Sequence, residues 1–186
     1  MIYQLKVTLK DVRPPIWRRV QVSGDLTLSQ LHRVLQIVMG WTDSHLHQFI
    51  IDDERYATPS PDDWGEPASD ERKFRLHDLP KATTRFQYEY DFGDGWEHDV
   101  QVEKILPSGP KSAAVCVDGR RACPPEDCGG PWGYGELLEI LADPKHEEYA
   151  ERMEWLGGKF EAEEFDVLAT NSILSKHGPR RGRASG

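Results

Sequence analysis

The strongest constraint on the fold is an alternating segment at residues 85–106. Every second residue from Phe86 to Phe92 is aromatic, and an alternating series that is mostly apolar resumes at Trp96. This period of two is typical of a half-buried strand. Gly93-Asp94-Gly95 lies between the two runs and supplies residues that adopt positive φ in a tight turn. The segment predicts a long β-hairpin, and with it a mainly antiparallel sheet.

Three further strands are predicted before the hairpin, at residues 2–10, 16–22 and 45–52. Each places apolar side chains on one face and polar side chains on the other. Arg18 interrupts the apolar face of the second strand, so we expect that face to be covered only in part. No internal repeat is present.

Residues 28–39 have the apolar spacing of a helix, with Thr27 or Ser29 as the N-cap and Gly40 as its end. The other predicted elements are a surface loop at 58–73, a short strand or turn at 74–79, an irregular packed segment at 115–134, and helices at about 135–142, 145–156 and 161–170. The predicted class is therefore α+β: a mainly antiparallel mixed sheet with a long hairpin at 85–106, one helix after the second strand and a C-terminal helical cluster.

Composition and charge restrict the class of partner. Six residues each of Trp, Tyr and Phe can support a real core, and we expect a single domain at 1–175 followed by a basic flexible tail at 176–186. Residues 126–166 carry thirteen acids and three bases, whereas the tail carries four bases and no acid. The acidic body would repel a phosphate backbone, so nucleic acid could be contacted only weakly, through the tail.

From the sequence we expect neither a membrane span nor a secretion signal. No apolar run approaches the ~20 residues of a transmembrane helix, and the N-terminus lacks an apolar signal segment. Three cysteines in such a chain indicate a reducing, cytoplasmic setting and no disulfide framework.

The cysteines offer a first candidate metal site. Cys116, Cys123 and Cys128 have the spacing C-x6-C-x4-C, and three thiolates with one histidine, His77 or His98, would complete a tetrahedral zinc site. The alternative is that the thiols simply pack an irregular segment. No resident cofactor is certain from the sequence.

The predicted hairpin offers a second candidate site. If the loop is Gly93–Gly95, four carboxylates share one face, with Asp91 opposite Glu97 and Glu89 opposite Asp99. Like charges directly opposite one another are destabilising, so this face needs partners. A divalent cation could supply them. So could bases of the first two strands, namely Lys6, Lys10 or Arg19.

Histidines add to this candidate surface. His45 and His47 share a strand face, where they could bind metal or relay protons, or be hydrogen-bonded core residues. The complete candidate binding surface is His45, His47, Asp91, Asp94, Trp96 and His98.

Four blocks of the chain resemble one family. The blocks Trp17–Val20, Gly40–Phe49, Tyr90–His98 and Cys123–Gly130 are similar to the plasmid pRiA4b ORF-3-like family, in the family's order. The resemblance implies an α+β domain of a bacterial and archaeal group often linked to plasmids or insertion elements, with unassigned activity. It also implies that cysteine is not invariant at the position of Cys128. Some relatives carry a resolvase label, but this chain has no early Tyr-x-Arg-x-Ser pattern of a serine recombinase.

Two functions remain open from the sequence. The leading hypothesis is a cytoplasmic interaction or ligand-binding domain, for a protein or small molecule, with the hairpin as the recognition surface. The alternative is a metal-dependent hydrolase, acting for example on phosphoesters, with Asp91, Asp94, His98 and one of His45 or His47 as ligands. No G-x-S-x-G or H-E-x-x-H motif decides whether the chain is an enzyme.

Overall fold

The structure, a computed structural model, describes residues 1–59, 68–110 and 112–180. It confirms the α+β class. Its strands are β1 (Ile2–Leu9), β2 (Trp17–Ser23), β3 (His47–Ile51), β4 (Glu54–Ala57), β5 (Ser69–Asp70), β6 (Arg85–Tyr90), β7 (Trp96–Leu106) and β8 (Ala114–Arg120). Its helices are α1 (Leu28–Met39), α2 (Gly130–Ala142), α3 (Tyr149–Trp155) and α4 (Val167–His177), with a short 3-10 turn at Leu76–Asp78.

The strands form one mixed sheet in the order β5-β4-β3-β6-β7-β1-β2-β8. Neighbouring strands are antiparallel except β4 and β5, which are parallel. The N-terminal strand thus lies between β7 and β2, in the interior of the sheet. The tip of the β6–β7 hairpin is close to the segment that leads into β3.

The two faces of the sheet differ sharply. The alternating apolar residues of β1, such as Leu5 and Val7, are fully buried, while Gln4 and Lys6 on the other face are partly exposed. Arg18 lies on the buried face at 1% exposure, so the expectation of a partly covered face is wrong. Its guanidinium donates to the carbonyl oxygens of Val38, Trp17 and Arg120, which meets the cost of burying a charged group. The ring of Phe165 lies 3.7 Å below it.

Helix α1 follows the predicted boundaries because both of its ends are capped. The hydroxyl of Thr27 accepts from the amide of Gln30, the side chain of Gln30 accepts from the amide of Thr27, and Gly40 ends the helix at φ 94°. The helix packs against β2 and α4. This orientation buries His32 and Gln36 against the sheet.

The hairpin register differs from the predicted one. Tyr90 pairs with Trp96 and Glu89 with Glu97, so the connection is the five-residue segment Asp91–Gly95. Asp91 therefore leaves the exposed face. The remaining carboxylates there have separate partners: Glu97 contacts Lys10 at 2.5 Å, Asp99 contacts Arg85 at 3.7 Å, and Glu89 accepts from Gln48 at 2.6 Å. The predicted four-carboxylate cluster does not form.

The C-terminal third also departs from expectation. Part of the predicted irregular segment is the strand β8, which pairs with β2, and α2 begins at Gly130 instead of about 135. The last helix lies at Val167–His177, which includes the first residues of the predicted tail. Residues 181–186 of that tail, and residues 60–67 of the predicted surface loop, lie outside the described residues.

Helix α4 lies against the free side of β8. The side-chain amide of Asn171 donates to the carbonyl oxygen of Cys116 and accepts from its amide nitrogen, both at 2.8 Å. One side chain thus occupies both main-chain groups of Cys116.

Among the described residues, no helix is long and apolar enough to cross a membrane.

Candidate functional site

The turn at the hairpin tip and two other loops meet at one end of the sheet. They are the segment 41–46 between α1 and β3, the turn 91–95, and the loop 121–129 that leads into α2. The indole nitrogen of Trp41 donates to the carbonyl oxygen of Pro124 at 3.0 Å, and the amide of Asp91 donates to the carbonyl oxygen of Leu46 at 2.8 Å. These contacts bring side chains from distant parts of the sequence into one cluster.

Asp91 uses its two carboxylate oxygens differently. It adopts a positive φ of 57°, and its Oδ1 accepts from the amides of Gly93 and Asp94 at 3.0 and 3.3 Å. Aspartate tolerates this conformation because its side chain bonds the following backbone. Its Oδ2 lies 3.6 Å from Nε2 of His45. The residue is only 7% exposed.

Glu126 is held by the segment 41–46 and by β6. Its Oε1 accepts from the amide of Thr42 at 2.8 Å and from the hydroxyl of Tyr90 at 3.1 Å. Burial raises the pKa of Tyr90 to about 12, helped by the nearby Glu126 carboxylate, so the phenol remains a donor. Oε2 of Glu126 lies 3.9 Å from Nε2 of His45.

His45 lies at the centre of these carboxylates. Its Nε2 is 3.1 Å from Oδ1 of Asp127, and ligand atoms of His45, Asp91 and Asp127 all lie within 4.8 Å of one another. The nitrogen atom is buried and has no hydrogen-bond partner among the described residues. The side chain of Asp127 is 71% exposed, so the cluster opens to solvent on that side.

A second group of potential ligands, His32, Asp43 and His47, has a different geometry. The rings of His32 and His47 stack at 3.4 Å with an angle of 4° between their planes. A metal ion lies in the plane of the imidazole that ligates it, so two parallel stacked rings cannot direct nitrogens at one ion. Their Nε2 atoms instead face carboxylates, His32 facing Asp43 and His47 facing Glu71, both at 2.8 Å. This group is a hydrogen-bond network.

The predicted surface residues therefore separate. His45 and Asp91 come together, whereas His47 joins His32, and Oδ2 of Asp94 accepts from the amide of Gly129 at 3.2 Å. Trp96 and His98 are fully buried, with the His98 ring edge-on to Trp41. Burial lowers the pKa of His98 to about 4, so it is a neutral core residue.

The three cysteines are held in different ways. Cys116 lies on β8, and its Sγ donates to the carbonyl oxygen of Asp118 at 3.6 Å. Cys123 and Cys128 lie in the loop before α2 and pack against the core. Burial raises the pKa of all three thiols, to about 11 for Cys116 and about 12 for Cys128. In the described parts of the chain, neither group of potential metal ligands includes a cysteine.

Sequence reasoning did not single out Glu126 and Asp127 as site residues. Both lie inside the block Cys123–Gly130, between Cys123 and Cys128, which the sequence offers as zinc ligands. The available signal was this pair of acids in a Pro- and Gly-rich loop, inside one of the four blocks that resemble the family.

Comparison with known proteins identifies the family. A family model, that of the plasmid pRiA4b ORF-3-like proteins, matches residues 1–169. The chain belongs to this family. The resemblance found in the four sequence blocks is thereby confirmed.

Two relatives of the pRiA4b ORF-3-like chain are similar along most of their length. The uncharacterized protein y4hQ of Sinorhizobium fredii (strain NBRC 101917 / NGR234) is 43% identical over 178 residues, covering 94% of this chain and 89% of the relative. The crystal structure of MM3350, a protein of unknown function from Methanosarcina mazei Go1, has 40% identity and a TM-score of 0.83. The structural match covers 90% of this chain and 96% of the MM3350 chain. Neither name carries an activity.

Proposed function

We propose that this chain is a ligand-binding domain whose ligand is a divalent cation, held by His45, Asp91 and Asp127 with Glu126 beside them. One observation carries the proposal. The Nε2 atom of His45 is buried and unpaired within the described residues, and it faces carboxylate oxygens at 3.1, 3.6 and 3.9 Å.

A proton on His45 would not balance this cluster. Three carboxylates around one imidazolium still leave a net negative charge, and like charges held close together are unfavourable. The contact with Asp127, although 3.1 Å long, does not have the geometry of a hydrogen bond. A divalent cation beside a neutral imidazole would offset more of this charge, leaving −1 instead of −2, and would give the nitrogen a partner.

The donor set indicates the class of metal. An imidazole nitrogen favours Zn²⁺, Fe²⁺ or Mn²⁺ over Mg²⁺ and Ca²⁺, which prefer all-oxygen sites. Among these three metals, carboxylate ligands favour Mn²⁺, which accepts oxygen ligands most readily. We therefore expect Mn²⁺ and Zn²⁺ to bind more tightly than Mg²⁺.

Titration calorimetry and thermal unfolding with Mn²⁺, Zn²⁺ and Mg²⁺ test the proposal. We expect one Mn²⁺ or Zn²⁺ per chain and a higher melting temperature, with binding lost in His45→Ala and Asp127→Asn. His77→Ala is the matched control, because His77 also lies beside two carboxylates, those of Asp25 and Asp78, away from the cluster. Absence of binding to the wild-type chain, or equal loss in the control, would contradict the proposal.

A second candidate function, metal-dependent hydrolysis, is favoured by the open side of the cluster. A crevice of about 140 Å³ adjoins Asp127 and is lined by Cys128, Glu136, Arg152 and Trp155, among others. A metal with an open coordination position can activate a water molecule. The test is hydrolysis of a small chromogenic phosphodiester by the Mn²⁺-loaded chain. Activity retained in Asp127→Asn would show that any turnover arises elsewhere.

A further inference from the structure

His32 contacts the segment that carries His45 on both sides. It lies within α1 and is 3% exposed. Its Nε2 is 2.8 Å from the carboxylate of Asp43, two residues before His45, and its ring stacks on that of His47, two residues after it. We infer that His32 is a positioning residue, which fixes His45 for the cation-binding site by holding both neighbours; this inference rests on the proposed function.

The hydrogen bonds around His32 form a closed ring. The amide of Asp43 donates to Oε1 of Gln36 at 2.9 Å, and Nε2 of Gln36 donates to the hydroxyl oxygen of Tyr88 at 3.0 Å. The hydroxyl of Tyr88 lies 2.8 Å from Nδ1 of His32, and Nε2 of His32 returns to Asp43. Tyr88, His32 and Gln36 are all buried.

With His32 neutral, only one arrangement of protons supports all four hydrogen bonds of the ring. The backbone amide of Asp43 requires the oxygen of Gln36, so the nitrogen of Gln36 must face Tyr88. Tyr88 then accepts from Gln36 and donates its own proton to Nδ1 of His32. The imidazole therefore carries its proton on Nε2 and donates it to Asp43. The opposite tautomer would direct a lone pair at a carboxylate and leave the buried Tyr88 proton unpaired, which is costly.

The neutral His32 also permits the close stacking with His47. Nε2 of His47 faces the buried carboxylate of Glu71, whose other oxygen accepts from Thr58. The two rings lie 3.4 Å apart and almost parallel, so a neutral His32 ring can stack there without charge repulsion. As a neutral ring, His32 can both donate to Asp43 and stack on His47, the residues two positions before and after His45.

The segment 42–44 has few main-chain partners of its own, which explains why it needs this support. Its three consecutive amides donate to side chains: Thr42 to Glu126, Asp43 to Gln36 and Ser44 to Tyr90. Asp43 has a positive φ of 58°. The conformation that presents His45 therefore depends on side chains from α1, β6 and the loop before α2.

The experiment compares His32→Phe with the wild-type chain. Phenylalanine can stack on His47 but cannot bond Asp43 or Tyr88. We expect the Kd for Mn²⁺ to rise by about tenfold, as for other groups that orient metal ligands. We also expect amide hydrogen exchange of residues 42–45 to accelerate about tenfold in the metal-free chain. Tyr88→Phe, a milder change, should shift both quantities in the same direction.

The control is Val22→Ala, a core truncation in β2 that loosens the fold away from the segment. It should leave the Kd and the exchange at residues 42–45 near their wild-type values. A ¹H–¹⁵N long-range NMR spectrum at pH 7 should show His32 protonated on Nε2. The inference is overturned if the proton is on Nδ1, or if His32→Phe matches Val22→Ala in exchange. If the wild-type chain binds no metal, the proposed function fails, while the exchange and tautomer measurements still decide whether His32 positions the segment.

Discussion

At the scale of single residues, Asp91 combines two roles that can be separated by mutation. Its Oδ1 bonds the amides of the turn, while its Oδ2 faces His45. The turn needs an oxygen acceptor at positive φ, which asparagine also supplies. The cluster needs a negative charge, which asparagine lacks.

Asp91→Asn should therefore keep the fold and weaken cation binding. We expect a change in unfolding free energy within ~0.5 kcal/mol, and a Kd for Mn²⁺ at least tenfold higher by calorimetry. Asp91→Ala should lose both roles and destabilise the chain by about 1–3 kcal/mol. Equal effects of the two variants on stability would show that the charge, and not the turn acceptor, supports the fold.

The buried His98 gives the fold a pH dependence. Burial lowers its pKa to about 4 from the unfolded value of about 6.5, so the unfolded chain binds the extra proton between these pH values. Stability is then full above pH 6.5, falls as the pH decreases to about 4, and loses up to roughly 3 kcal/mol through this group.

Denaturant unfolding at pH 7 and pH 4.5 measures this loss. His98→Leu should show a smaller difference between the two pH values than the wild-type chain. Burial also lowers the pKa of His32, so part of the dependence should remain. The exposed His77 replaced by glutamine is the control. A His98→Leu chain with the wild-type pH dependence would contradict the assignment.

At the scale of elements, two glycines of α2 have opposite surroundings. A Cβ on Gly133 would lie 2.0 Å from the carbonyl oxygen of Cys128, whereas a Cβ on Gly135 would meet nothing within 4 Å. Gly133 therefore lets the first turn of the helix lie against the loop that carries Asp127.

Gly133→Ala should displace that loop, destabilise the chain by more than ~2 kcal/mol, and weaken Mn²⁺ binding. Gly135→Ala is its matched control and should stabilise the chain by about 0.5–1 kcal/mol, because alanine favours a helix interior. Thermal unfolding and calorimetry of both variants measure the contrast. Similar destabilisation by the two changes would indicate that helix geometry, not the loop contact, is responsible.

The elements that sequence predicted best are those with local signals. Helix α1 has its periodicity, capping box and terminal glycine within one short segment, and its predicted and observed boundaries agree. Strand β8 has no such signal, since its Ala114–Arg120 stretch is a strand through pairing with the distant β2. The hairpin was identified, but its register was not, because the left-handed Asp91 lengthens the connection to five residues.

At the scale of the whole molecule, the candidate site exists only in the folded chain. His45, Asp91 and Asp127 lie in three loops about 35–45 residues apart in sequence. Half of the cluster was predicted, because His45 and Asp91 belong to dense motifs. The acids of the third loop could not be assigned, since tertiary contacts bring them near: Trp41 bonds Pro124, and Thr42 and Tyr90 bond Glu126.

The side-chain amide of Asn171 bears on whether the edge strand β8 can pair with a second molecule. A strand at the margin of a sheet presents unpaired main-chain groups that template association with other chains. At β8 those of Cys116 are occupied by Asn171, and the opposite margin is the two-residue β5. Asn171→Ala should therefore cause concentration-dependent self-association, seen by sedimentation velocity, whereas Ile173→Ala on the same helix should not. An Asn171→Ala chain that sediments as the wild type does would show that helix α4 alone suffices. We therefore expect the side chain that pairs both main-chain groups of Cys116 to stop the sheet from extending into a second molecule.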